Sequence, residues 1–376
     1  MRPSSEHRRT PATAAARVAI AVAALAIGVA TALTYPPATL SQLAGGVDVD
    51  AVLRGPAGRC LGLGEGETRS CLLRYVSART RADGAEAALA DLEVLSARDA
   101  AARGFCHALA HETGHAGYEK YGEIGAAFRH GASTCWSGYY HGVLEAYAES
   151  AERPALEERV NVICDGVTDA DGSGHDRFNC VHGLGHGLLA YAQDDLDAAL
   201  ALCDRLQSDG ERDACHAGAF MQNVINEDFT GHKASFRTDD PDFPCDAVDE
   251  TYRRVCYNRQ TTHLLRVFGG DFTRVFAACG ALGDQVLADA CALGLGRDAA
   301  AFAVGDIRRT RDHCLKGGDV RQREACFVGA ARFLSFYESE GKARRFCDLL
   351  RDKDERAACL ETVEEHMAPF TWWNAS

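Results

Sequence analysis

The sequence lacks most of the short motifs by which common classes of enzyme are recognised. It contains no G-x-S-x-G nucleophile elbow, no Walker phosphate-binding loop and no glycine-rich dinucleotide loop after a strand. No C-x-x-C occurs, which removes support for zinc ribbons and thioredoxin-type redox motifs. Strictly alternating runs of β-branched residues are scarce, and this argues against a β-sheet. The chain is therefore expected to be helical and to lack nucleotide and thiol chemistry.

Positive charge is also scarce. The 376 residues carry a net charge of −14 and are 47% hydrophobic, which is enough for a packed core. Four of the arginines, Arg2, Arg8, Arg9 and Arg17, lie in the first 33 residues, so the remainder is more acidic still. Non-specific binding of nucleic acid needs clustered Lys and Arg, so no nucleic-acid partner is expected.

The N-terminus has the pattern of an export signal. Arg8, Arg9 and Arg17 precede an apolar run from Val18 to Leu33, as a basic segment precedes the hydrophobic core of a signal peptide. The run is shorter than the about 20 residues of a membrane span, but the uncharged stretch continues to Val47. Residues 1–33 are therefore predicted to be a signal peptide or an N-terminal membrane anchor, and 34–55 a linker. The rest is expected to be extracytoplasmic, either secreted or anchored.

The cysteines predict a network of disulfides. There are 16, an even number, which in an exported chain indicates bridges. Pairing each cysteine with its near neighbour uses all of them, whereas the alternative regular scheme leaves Cys60 and Cys359 alone. The predicted bridges are Cys60–Cys71, Cys106–Cys135, Cys164–Cys180, Cys203–Cys215, Cys245–Cys256, Cys279–Cys291, Cys314–Cys326 and Cys347–Cys359.

The second cysteine of each later pair recurs about every 35 residues, which is typical of two-helix repeats. Each unit is predicted to be a long helix, a break and a shorter helix, with breaks at Gly269-Gly270, Gly305-Asp306 and Gly341. Over about 160–376 the layout resembles the disulfide-linked Sel1-like or tetratricopeptide-type solenoids. The predicted fold is all-α, a solenoid-like array of helical-hairpin repeats cross-linked by about eight disulfides.

Three regions follow the linker in this prediction. Residues 56–228 form a histidine-rich helical region with a metal site. Residues 229–244 are rich in Pro and Asp and are predicted to be a loop. Residues 245–376 form disulfide-stapled helical repeats.

Histidines follow the cysteines of the first half at helical spacing. Counted from the preceding cysteine, His182 and His186 lie at +2 and +6, His141 and Glu145 at +6 and +10, and His216 at +1. These offsets share one stripe of a helix, and stacked repeats would bring the stripes together in one groove. His107, His111 and His115 are one residue out of this register. The predicted metal ligands are His107, His111, His115, His141, Glu145, His182 and His186.

The most specific motif is H-E-x-x-H at residues 111–115. Two histidines four residues apart on a helix can hold one metal ion, and the glutamate between them can activate bound water. The stretch resembles the active-site helix of zincin-type zinc metallopeptidases. The resemblance implies that His111 and His115 are zinc ligands and that Glu112 is the general base. Position 121, where some zincins have a third histidine, is Tyr121, so Glu145 is the best candidate for a further ligand.

The predicted function is that of a zinc-dependent hydrolase acting on a peptide or protein. Iron or copper would also accept these ligands. His107 and His115 lie about 12 Å apart along a helix, so two ions are conceivable. Two alternatives remain open. One is a non-enzymatic helical-repeat scaffold that binds a protein or peptide, with the histidines as packing residues and the glycines of HGLGHG and YYHG allowing close helix packing. The other is a histidine-rich dinuclear redox or metal-carrier protein. The oligomeric state is not predicted.

Overall fold

The computed structural model describes residues 47–132, 134–150, 153–165, 167, 174–227, 233–237, 239–303 and 305–364. The predicted signal or anchor at 1–33 lies outside these residues. Within the described ranges, none of the helices combines the length and apolarity that a bilayer span requires. Residues 49–54, which belong to the predicted linker, form a short helix.

The described residues contain helices and no β-strand, which confirms the all-α prediction. A short 3-10 helix occupies Gly58–Cys60. The α-helices are α1 Val49–Arg54, α2 Glu65–Asp83, α3 Ala85–Arg98, α4 Ala100–Gly104, α5 Cys106–Tyr121, α6 Ile124–Phe128, α7 Thr134–Ser150, α8 Arg153–Arg159, α9 His175–Tyr191, α10 Leu196–Cys203, α11 Asp209–Asn226, α12 Glu250–Val267, α13 Phe272–Ala281, α14 Gln285–Ala303, α15 Ile307–Cys314, α16 Val320–Tyr337, α17 Glu340–Cys347 and α18 Lys353–Glu364.

The long helices form one continuous row in which each packs against the next. The order is α2, α5, α7, α9, α11, α12, α14, α16 and α18. Shorter helices lie beside the row: α10 contacts α9 and α11, α13 contacts α12 and α14, and α15 contacts α14 and α16. This is the predicted array of helical hairpins. The described part of the 229–244 segment has no helix and holds one isolated bridge, between Arg237 and Asp240.

Eight disulfides cross-link the array, and they join the cysteines in the predicted pairs. In the later repeats each bridge connects the end of a short helix to the following long helix, as Cys279 of α13 does to Cys291 of α14. The structure contains no free cysteine. Because disulfides persist in oxidising surroundings, this network indicates an extracytoplasmic protein.

Aspartate and glycine set the breaks between the helices of a repeat. Gly269, Gly270 and Gly305 have left-handed backbone angles, and the Asp271 side chain then caps the start of α13. The predicted break at Gly341 is wrong, because this glycine lies inside α17. The chain turns instead at Glu338 and Ser339, whose side chain accepts the backbone N–H of Lys342 as an N-cap.

The row curls so that its C-terminal part meets the helices near its start. The Phe336 ring of α16 lies 4.6 Å from His175 and 5.3 Å from Phe178, both on α9. The Trp136 ring of α7 lies 6.3 Å from Phe333 of α16. These aromatic contacts cover the N-terminal ends of α7 and α9.

Glycines allow the long helices to approach each other very closely. A methyl group built on Gly142 of α7 would lie 2.0 Å from the carbonyl oxygen of His111 on α5. One on Gly185 of α9 would lie 1.9 Å from the carbonyl oxygen of Cys215 on α11. The close packing expected of the YYHG and HGLGHG glycines is therefore present, and it brings side chains of neighbouring helices together.

Substitution of Gly142 by alanine is expected to destabilise the protein by about 1–3 kcal/mol or more, because α5 and α7 must move apart to relieve the clash. Chemical denaturation measures the change. The matched control is Gly66→Ala in the exposed first turn of α2, where a methyl group meets nothing within 4 Å. That control should stabilise by up to about 1 kcal/mol. Equal effects of the two substitutions would contradict the close-approach explanation.

Candidate metal centre

Three consecutive long helices, α5, α7 and α9, bring five histidines and one glutamate into a single group, which is buried except for the partly exposed His107. We call this group the histidine cluster; its members are His107, His111, His141, Glu145, His182 and His186. His186 is completely buried, and His141 and His182 are 1% and 2% exposed. Glu145 and His111 are each 6% exposed. The cluster lies in the protein interior, where unpaired polar groups are costly.

The histidines of α5 and α9 form two equivalent pairs, each spaced by one helical turn. The Nε2 atoms of His107 and His111 lie 3.1 Å apart on α5. The Nε2 atoms of His182 and His186 lie 3.3 Å apart on α9. Within each pair, the two rings therefore present the same nitrogen to each other.

The other ring nitrogen of each paired histidine is held by an oxygen atom. His107 Nδ1 donates to the backbone carbonyl of Cys135 (2.8 Å), and His182 Nδ1 donates to that of Ala214 (3.1 Å). The remaining two donors are His111 Nδ1, to Glu145 Oε2 (2.9 Å), and His186 Nδ1, to Gln222 Oε1 (2.7 Å). The Gln222 amide nitrogen bonds Asn226, so its oxygen faces His186.

These bonds determine where the ring protons lie. Carbonyl and carboxylate oxygens only accept hydrogen bonds, so each neutral ring carries its proton on Nδ1 and a lone pair on Nε2. When both rings of a pair are neutral, two lone pairs face each other at 3.1 Å on α5 and at 3.3 Å on α9, without a proton between them. Two nitrogens bound tetrahedrally to one metal ion at about 2.0–2.1 Å would lie about 3.3 Å apart. Each pair thus has the spacing and the proton positions of a chelating pair.

His141 lies between the two pairs, and its two buried ring nitrogens have no hydrogen-bond partner among the described residues. Glu145 Oε1 is likewise buried and has no hydrogen-bond partner within the same residues. Buried polar atoms are almost always satisfied in native proteins, so such atoms call for a ligand. Three groups of side chains could each hold an ion: His107, His111 and His141; His141, His182 and His186; and His111, Glu145 and His186.

Burial keeps most of these imidazoles neutral. Burial, together with the nearby His111 imidazole, lowers the pKa of His107 and of His186 to about 3. Burial followed by the other imidazoles holds the pKa of His141 well below its usual value. The pKa of His182 is also well below its usual value because of burial, His186 and the buried Arg259. Neutral imidazole is the form that binds metal.

Glu145 is ionised even though it is buried. Burial opposes its ionisation, but His111 and His115 outweigh this effect and hold its pKa well below the usual range. Its Oε2 atom accepts from His115 Nε2 at 3.0 Å as well as from His111. His115, with a side chain 29% exposed, marks the accessible edge of the cluster. Burial lowers the pKa of His115, but the bond to Glu145 outweighs this and raises it.

The H-E-x-x-H residues do not all occupy equivalent places. His111 belongs to two of the three metal-binding groups, whereas His115 belongs to none and reaches the cluster through Glu145. Glu112 is half-buried and makes no hydrogen bond or ion pair with the described residues. His216, expected on the same stripe, instead bonds the Asp204 carboxylate at 2.9 Å and packs on Tyr252.

Sequence reasoning missed the groups that orient the imidazoles. Gln222 of α11 carries a detectable signal, since it is a polar residue one turn from Asn226 on a helix next to α9. The backbone carbonyls of Cys135 and Ala214 leave no signal in the sequence, because every residue has a carbonyl. The Cys135 carbonyl points to His107 from a left-handed turn at Cys135, Trp136 and Ser137, ahead of the regular part of α7.

Comparison of the chain with known protein families, characterised proteins and solved structures finds no match. The similarity to zincins therefore rests on residues 111–115 alone, and the similarity to solenoid repeats on layout. The interpretation of the centre depends on its own geometry: His/Glu groups that could bind metal, held in a disulfide-linked helical array.

Proposed function

We propose that this protein is an exported metalloprotein and that its histidine cluster binds a transition-metal ion. One observation carries the proposal: on both α5 and α9, the Nε2 lone pairs of two histidines face each other at metal-chelating distance while their Nδ1 atoms donate to oxygen. An oxygen that accepts the proton of the other ring nitrogen is the usual partner of a metal-bound histidine. A cation between the nitrogens removes the repulsion between them.

Zinc is the first candidate for the ion. Its preferred ligands are imidazole nitrogen and carboxylate oxygen, and both are present in the group His111, Glu145 and His186. Iron and copper accept the same donors. Thiolate ligands are excluded in the described residues because their cysteines are all disulfide-bonded. Within this proposal, the N-terminal segment directs export and either is removed or anchors the protein to a membrane.

The activity we propose is metal-dependent hydrolysis of a peptide or protein. A substrate approaches Glu145 and His111 from the accessible edge at His115. His111 and His115 both bond the same carboxylate oxygen of Glu145. A metal ion held by these residues would lower the pKa of bound water to about 7, the usual effect of zinc. Glu112, one residue from His111, would accept the proton of that water, as the similarity to zincins implies.

The Glu112→Gln variant tests this activity. With labelled casein and p-nitrophenyl acetate as probes, we expect the zinc-loaded protein to be active and the variant to lose about 10²–10⁴-fold, as a lost general base costs. Elemental analysis must show equal metal in both proteins. Glu119→Gln, an exposed change on the same helix, is the matched control and should keep full activity. Full activity in Glu112→Gln with metal bound would refute the role of Glu112. Failure of the wild type to bind any metal would refute the metalloprotein itself.

A second candidate is a redox or carrier protein, favoured by the burial of the cluster. His141, His182 and His186 are 0–2% exposed, which suits an ion shielded from substrate more than one that must bind it. A metal-binding protein with no activity on either probe, and with redox-active copper or iron as the bound ion, would support this candidate. A helical scaffold without metal is the third, and absence of metal in the loaded protein would favour it.

A further inference from the structure

We propose that the histidine cluster holds two metal ions, one at the α5 pair and one at the α9 pair, with His141 bound to both. This inference rests on the proposed metal centre and specifies its composition. The ligands of the first ion are His107, His111 and one nitrogen of His141. Those of the second ion are His182, His186 and the other nitrogen of His141.

The two pairs have the same geometry, although His111 bonds a carboxylate and His186 an amide oxygen. Each is a His-x-x-x-His pair on one helix, with facing Nε2 atoms 3.1 or 3.3 Å apart. In each pair, the first histidine donates Nδ1 to a backbone carbonyl and the second donates Nδ1 to a side-chain oxygen. A single ion would leave one of these pairs with its lone pairs opposed and uncompensated. Equivalent geometry therefore indicates equivalent occupancy.

His141 is placed to serve both ions. Its ring centre lies 5.3 Å from that of His107 and 5.4 Å from that of His111. On the other side, its ring centre lies 5.0 Å from that of His182 and 4.3 Å from that of His186. Both of its nitrogens are buried and lack hydrogen-bond partners in the described part of the chain. His141 is also the one residue common to the two all-histidine groups.

The proton and charge balance of this arrangement is simple. A neutral imidazole carries one ring proton, so binding through both nitrogens releases that proton to solvent and leaves a bridging imidazolate. With two divalent ions, the negative charges of this imidazolate and of ionised Glu145 offset part of the positive charge. Glu145 lies beside both pairs, bonded to His111 and 4.0 Å from His186 Nδ1. The nitrogen-rich ligand set suits Zn²⁺ and Cu²⁺.

Copper loading of the full chain, with disulfides intact, tests the proposal. We expect two Cu²⁺ per chain by elemental analysis and native mass spectrometry. Because an imidazolate bridge couples the two unpaired electrons, the low-temperature EPR intensity should fall well below that of two isolated ions. His141→Gln should bind fewer ions or show uncoupled copper with full intensity. His313→Gln is the matched control: this half-buried histidine stacks on Phe272, outside the cluster, and its loss should change neither value.

Two double variants keep the test decisive if His141→Gln does not fold. His107→Ala/His111→Ala and His182→Ala/His186→Ala should each bind one Cu²⁺ with full EPR intensity, at the pair that remains. One ion per chain in the wild type would refute the two-ion inference and leave the metalloprotein intact. Two ions with full intensity in the wild type would refute the bridge at His141. No bound ion would refute the metal centre itself.

Discussion

Reduction of the eight disulfides is expected to unfold the metal-free protein at room temperature. Each bridge of the repeats closes a loop of 11 or 12 residues, and the chain-entropy relation gives about 3 kcal/mol for such a loop. Eight bridges together contribute about 24 kcal/mol, more than the usual 5–15 kcal/mol net stability of a domain. Far-UV circular dichroism before and after treatment with dithiothreitol should show the helical signal collapse.

Single bridges give the graded control for this experiment. Replacing both cysteines of the terminal pair, Cys347 and Cys359, removes a bridge that holds only α17 to α18. This variant should lose about 3 kcal/mol and remain folded. Oxidised dithiothreitol at the same concentration should have no effect. A reduced protein that keeps its helical signal and a cooperative thermal transition would show that packing alone maintains the array.

Acidification is expected to destabilise the metal-free protein steeply below pH 6.5. His107, His141, His182 and His186 have folded pKa values far below those of an unfolded chain, so between about pH 6.5 and 4 the unfolded state binds the extra protons. The stability that depends on neutral imidazole is therefore complete above pH 6.5 and is lost as the pH falls. Each group contributes at most about 1.4 kcal/mol per pH unit, so the four together contribute at most about 5 kcal/mol per pH unit. Urea denaturation at a series of pH values measures the slope.

Other titrating groups modify this slope in known directions. The depressed pKa of Glu145 adds a further loss of stability below about pH 4.5, whereas the raised pKa of His115 acts in the opposite direction. His182→Gln/His186→Gln should reduce the slope of the unfolding free energy against pH by the contribution of up to two protons. This change separates the effect of the histidine cluster from that of other acidic groups. His130→Gln, an exposed position paired with Glu86, is the control and should leave the cluster's contribution in place. A stability that does not change between pH 7 and 5 would contradict the neutral, buried imidazoles.

The architecture could be predicted from cysteine spacing because a disulfide has strict geometric limits. A bridge needs its two Cα atoms within about 4.4–6.8 Å, and residues a dozen apart meet that limit when a helix ends, the chain turns and the next helix begins. The bridge Cys279–Cys291 has a Cα separation of 5.5 Å. The break at Gly341 was wrong for a local reason: glycine is tolerated in the first turn of α17, and Ser339 supplies the better cap.

Helical periodicity predicts which residues of the candidate site share a helix face, but not how their side chains are oriented. His141, His182 and His186 share a stripe, and stacking of the helices places them together. Which nitrogen each ring presents depends on a carbonyl or an amide from a neighbouring helix, and periodicity contains no such information. His216 shows the same limit, since it follows its cysteine as the others do but meets the Asp204 carboxylate. The contact between Glu145 and both His111 and His115 depends on the glycine-mediated approach of α5 to α7.

The locality of the bridges allows the disulfides to form in order along the chain. No bridge spans more than 29 residues. A chain that crosses a membrane N-terminus first can therefore oxidise each pair as it emerges, and few cysteines are free to form wrong partners at any moment. The helices α5, α7 and α9 are consecutive, so their side chains are all outside once Tyr191 has passed. The residues of the histidine cluster can thus meet before α16 arrives to place Phe333 against Trp136 and Phe336 against His175.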